Sequence, residues 1–161
     1  MVYPTVALML LAGGALILAA GFDIVRFQIP DVFALVILVS GLAHCLITRS
    51  SLPSHAAAPI VTLMAGLLVF RAGIMGGGDI KLLVATAAWT GLAGLMPLLI
   101  AISLAGGVVA MILFLARATT ANFGKSSTIP VLQTGAPIPY GVAIALGSLA
   151  WAGMASPFIV A

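Results

Sequence analysis

Long apolar runs alternate with short polar breaks along all 161 residues. The runs are continuous, without the two-residue alternation of a half-buried or barrel strand, so they predict helices. A bilayer core about 30 Å thick needs roughly 20 helical residues. Six stretches approach that length: about 4–22, 32–48, 57–73, 79–96, 98–116 and 138–158. The segments "RFQIPD", "TRSSLPSH", "RAGIMGGG" and "GLMP", and a longer polar stretch over 117–137, carry the Gly, Pro and Ser expected of turns. The pattern predicts an all-α, polytopic membrane protein with six transmembrane helices, one domain over residues 1–161.

Composition turns that pattern into a class. The chain is 63% hydrophobic and only 6% charged, whereas a soluble domain carries about a quarter of its residues charged. Too few polar side chains remain to cover a water-facing surface. The isoelectric point of about 9.6 raises the question of nucleic acid, but six scattered basic residues form no patch or stripe. Cys45 is the only cysteine, so there is neither a disulfide framework nor a CxxC site. His44 and His55 share no ligand spacing with other candidates, which argues against a metal. The first 22 residues lack the basic start of a secretion signal and read as a retained span. The small-residue triplets at 12–14 and 105–107 suit close helix contacts.

Charge then sets the orientation. With the N-terminus outside, the inner loops hold Arg26, Arg71, Lys81, Arg117 and Lys125, and the outer side holds only Arg49. Basic residues in short loops favour the cytoplasm. All three acids fall at that inner face: Asp23 ends the first span, Asp31 opens the second and Asp79 opens the fourth.

Ionisable groups at the membrane boundary are costly and tend to be functional. Two carboxylates brought together there cannot both ionise freely, and they titrate as a unit. One can take a proton from water while the other donates to a carbonyl oxygen and then to a leaving amine. The three glycines before Asp79 let the backbone approach a substrate closely and start a helix whose dipole favours a carboxylate. Plainer roles remain open for each residue. Asp79 suits a helix N-cap after a glycine turn, Asp31 after Pro30 suits another, Asp23 suits a snorkelling end residue, and the basic residues suit topology anchors.

"GGGDIKLL" resembles the GxGDxKL signature of the type IV prepilin peptidases, through Gly76, Gly78, Asp79, Lys81 and Leu82. "DIVRFQIPD" is similar to that family's span-ending aspartate, basic residue and Ile-Pro-Asn, supplied here by Asp23, Arg26, Ile29 and Pro30, with Asp31 in place of the Asn. "PIPYG", Pro137 to Gly141, is similar to a Pro-Tyr-Gly segment of the short members. The resemblance implies a GxGD-type bundle and a membrane aspartic endopeptidase with Asp23 and Asp79 as the catalytic pair. Gly76, Gly77, Gly78 and Lys81 would support the site. Arg26, Ile29, Pro30, Pro139, Tyr140 and Gly141 are the candidates for substrate contact.

The resemblance further implies a prepilin substrate whose short basic leader is cut at the cytoplasmic face of a bacterial inner membrane, with no metal or other cofactor. The chain starts with a span and lacks paired CxxC motifs, so it looks like the short form dedicated to Flp/Tad-type pilins, without methyltransferase activity. Lipid is its expected surroundings and nucleic acid is no partner. Residues 117–137, with Gly124, Lys125 and Gln133, are expected to form a substrate-contacting loop. Three alternatives stand beside this reading. A presenilin-like protease would carry Tyr-Asp where Phe22 precedes Asp23. A proton-coupled carrier would place ionisable groups near mid-membrane, with internal repeats. A non-catalytic pilus or secretion assembly subunit would need no paired acids.

Overall fold

The computed structural model describes residues 2–122, 130–133 and 136–159. It contains α1 (Val2–Arg26), α2 (Asp31–Thr48), α3 (Leu52–Arg71), α4 (Gly77–Asn122), a 3₁₀ turn (Pro130–Leu132) and α5 (Tyr140–Ile159); no strand occurs among the described residues. Among the described residues four stretches are long and apolar enough to cross a membrane, Tyr3–Arg26, Asp31–Thr48, Leu52–Arg71 and Gly77–Thr119, and Tyr140–Ala155 is a shorter apolar helix.

Small side chains let these helices pack closely. Ala15, Leu16, Ala19, Ala34, Ile37, Leu82, Ala85, Ile144 and Ala145 form a core contributed by α1, α2, α4 and α5. The outer faces are apolar and exposed, as at Leu10, Ile17, Leu35 and Leu68, the distribution a helix bundle adopts in lipid. The tightest crossing joins α5 to α4, where a Cβ on Gly147 would run into the Ile102 backbone. The triplets at 12–14 and 105–107 are looser: Gly14 and Gly107 face open space.

The run expected as two spans, 79–96 and 98–116, is one assigned helix with a break inside it. The break falls at Gly91, at φ 61°, rather than in "GLMP"; Pro97 lies within the helix. A straight helix would bond the Leu92 amide to the Ala88 carbonyl. Here α3 takes both groups. The Leu92 amide donates to Ser54 Oγ at 2.9 Å, and His55 Nδ1 lies 2.8 Å from the Ala88 oxygen. A side chain at Gly91 would also be tight, since a Cβ would sit 3.0 Å from Ser54 Oγ.

Two other boundaries differ from expectation. α3 begins at Leu52 rather than near 57, because Pro53 falls in its first turn, where the missing amide costs nothing. α4 continues through Asn122, so residues 117–122 of the expected polar loop are helical; Gly124 and Lys125 lie outside the described residues.

Candidate active site

The ends of α1 and α3 and the starts of α2, α4 and α5 meet at one end of the bundle. α1 stops after Arg26 because Phe27 adopts φ 51° and its amide closes back onto the Asp23 carbonyl at 3.0 Å. A left-handed phenylalanine stores of order 1 kcal/mol or more of strain. It is held by packing against the buried cluster of Val109, Leu113 and Val131. α2 follows with Pro30 at its N-cap. α3 ends at Arg71, and just beyond it Gly73, at φ 69°, turns the chain toward the glycines that open α4.

Between these ends lies a cavity of about 360 Å³, lined by Asp23, Phe27, Gln28, Ile29, Asp31, Gly76, Gly77, Gly78, Asp79 and Lys81. Asp23 and Asp79, far apart in sequence, therefore face one space. Each acid faces a helix N-terminus, Asp23 that of α5 and Asp79 that of its own α4. Asp23, only 6% exposed, accepts the Gly141 amide on Oδ2 at 2.7 Å. Gly141 is the second residue of α5, so this is one of the amides a helix leaves unpaired. Asp79 is the third residue of α4 and accepts a hydrogen bond from the Gly76 backbone. That is half of a capping box rather than the N-cap role considered for it.

The glycines bring backbone against these carboxylates. A Cβ on Gly141 would lie 2.8 Å from both Asp23 Oδ2 and Ile29 Cδ1. A Cβ on Gly76 would lie 3.1 Å from Asp79 Oδ2, and one on Gly78 would lie 3.4 Å from Ile29 Cβ. Ile29 is thus wedged between α4 and α5 beside both acids.

The cavity brings together Asp23, Asp79, Gly76, Gly77, Gly78, Lys81 and Ile29 among the residues singled out in the sequence. Arg26, Pro30, Pro139 and Tyr140 stand outside its lining. Arg26 lies over the Phe22 ring at 5.4 Å, and Pro139 is buried. Asp31 has no capping bond; it is the first residue of α2 and takes Lys81 Nζ at 2.8 Å on each oxygen. Phe27 and Gln28 were not anticipated. Their only signal was their place in the short link between Asp23 and Pro30. Gly141, anticipated as a substrate contact, donates its amide to Asp23.

Apolar helices enclosing two carboxylates that share a cavity at one bundle end define an integral membrane protein with a site suited to proton exchange. The chain belongs to the type IV leader peptidase family, whose sequence model matches residues 10–111. That span takes in Asp23, Asp31, Asp79 and Lys81 and stops short of α5. Membership implies a peptidase acting on a prepilin-type substrate. No curated protein and no solved structure matches the chain.

Proposed function

We propose that this protein is an aspartic endopeptidase that removes the short basic leader of Flp/Tad-type prepilins at the cytoplasmic face of a bacterial inner membrane, with Asp23 and Asp79 as its catalytic pair. The observation that carries this reading is that these two acids, from α1 and α4, line a single cavity. In the proposed reaction the ionised carboxylate takes a proton from water, whose oxygen attacks the scissile carbonyl. The protonated partner donates to the carbonyl oxygen; as the tetrahedral adduct collapses, the carboxyl that took water's proton gives it to the departing amine, and the partner regains its proton from the adduct's hydroxyl. Helix N-termini at both acids supply fixed positive dipoles, which favour negative charge at this boundary.

The cavity's position supports cleavage at the water boundary, where a substrate helix can unwind and expose its peptide bonds. Charge asymmetry supports the orientation. Arg26, Arg71, Lys81 and Arg117 fall at helix ends on the cavity side, while Arg49 caps the far end of α2, and the basic end is the cytoplasmic one. The Gly91 break supports two crossings within α4, and with them a six-span layout in one domain. The test is co-expression with a Flp-type prepilin, followed by the leader's removal on an immunoblot. Wild type is expected to process it, and Asp23→Asn and Asp79→Asn are each expected to leave it uncut. Wild-type processing by either variant would overturn the assignment.

A further inference from the structure

Among the described residues Lys81 is the only cation lining the cavity, and both oxygens of Asp31 hold it at 2.8 Å. The pair is exposed, at 56% for Lys81 and 73% for Asp31. Exposed pairs contribute little to stability, typically about 0–1 kcal/mol. Its importance therefore lies in where it keeps the ammonium. Lys81 stands two residues beyond Asp79 on α4, on a flexible four-carbon stem whose charge can sweep the cavity. If Asp31 were neutral, Asp79 and Asp23 would be the carboxylates left in the lining for that ammonium to approach.

We propose that Asp31 is a positioning residue that tethers Lys81 on the α2 side of the cavity, away from the Asp23–Asp79 pair. The inference rests on the proposed function for its meaning in catalysis, but the electrostatics stand apart from it. A pair that works as acid and base must hold one proton between two carboxylates. An ammonium drawn close favours the fully ionised form and strips the pair of its acid. The charged groups lining the cavity are Asp23 from α1, Asp31 from α2, and Asp79 and Lys81 from α4. Arg26 lies over Phe22, Arg71 ends α3 at an exposed position, and Arg117 donates to the Val131 and Pro137 carbonyls.

The experiment compares wild type, Asp31→Asn, and Asp31→Asn/Lys81→Met in lipid nanodiscs. One readout is the pH profile of leader-peptide cleavage. The other, which needs no substrate, is infrared titration of the carboxylic-acid C=O band, assigned with Asp23→Asn and Asp79→Asn. Freeing the ammonium stabilises the ionised pair, so the Asp31→Asn titration midpoint and cleavage optimum should both move down by about one pH unit. Peak rate should remain substantial, and removing the Lys81 charge in the double variant should bring both values back. An Asp31→Asn protein that titrates like wild type, or a double variant no closer to wild type than the single, overturns the tether. If no leader is cut by any variant, the proposed function fails while the infrared titration still decides the tether. If wild type cleaves and the midpoint does not move, the tether alone fails.

Discussion

Replacing Gly141 by alanine tests whether α5 helps build the site through Asp23. The new methyl would lie 2.8 Å from Asp23 Oδ2 and from Ile29 Cδ1, and 3.2 Å from Asp23 Cβ. Contacts under about 3 Å require something to move, and Asp23 is 6% exposed in a packed setting. The movement open to it is away from the Gly141 amide, which breaks the 2.7 Å bond. A hydrogen bond to a charged group is worth about 1.5–3 kcal/mol. If that restraint is needed in the transition state, leader cleavage falls roughly ten- to a hundredfold. Alanine is also a better helix former than glycine by about 1 kcal/mol, so propensity pulls the other way and cannot account for a loss. The assay is the initial rate of leader-peptide cleavage in nanodiscs, with a thermal melt of the same preparation. A Gly141→Ala protein that melts near wild type and cleaves at the wild-type rate would refute the argument.

Two further predictions concern the kink and the chemistry. His55→Ala removes the partner of the Ala88 carbonyl at the Gly91 break; an unpaired buried group costs about 1–3 kcal/mol, so the melting temperature in detergent should fall. An unchanged melt would show that the break does not depend on α3. Cleavage supplied by two carboxylates needs no metal, so prolonged EDTA treatment should leave the rate unaltered, and loss of activity restored by a divalent cation would contradict it.

Much of the bundle could be read from hydropathy because lipid demands long apolar helices with internally paired backbones. The shared end of Asp23, Asp31 and Asp79 followed from counting turns between spans. What escaped the sequence was tertiary. Pro97 looked the stronger breaker in "GLMP", yet a proline can be absorbed inside a membrane helix. The break went to Gly91, where Ser54 and His55 of another helix could satisfy the freed amide and carbonyl. Asp31 after Pro30 had the local look of a cap, but Lys81 on α4 claimed its carboxylate. Gly141 could be found as part of a motif, while its bond to Asp23 spans most of the chain and no local pattern encodes such a partner. The tight helix crossings likewise depend on which faces meet, which small-residue triplets alone do not specify.

The central claim is that Asp23 and Asp79 act as one unit. It is tested most directly by initial cleavage rates of wild type, Asp23→Asn, Asp79→Asn and the double variant on the same Flp-type leader peptide. Residues that work together lose activity non-additively. The account predicts that each single substitution abolishes nearly all cleavage and that the double is no slower than either single. A single variant that retains most of the rate, or a double whose loss is the product of two modest single losses, would contradict it.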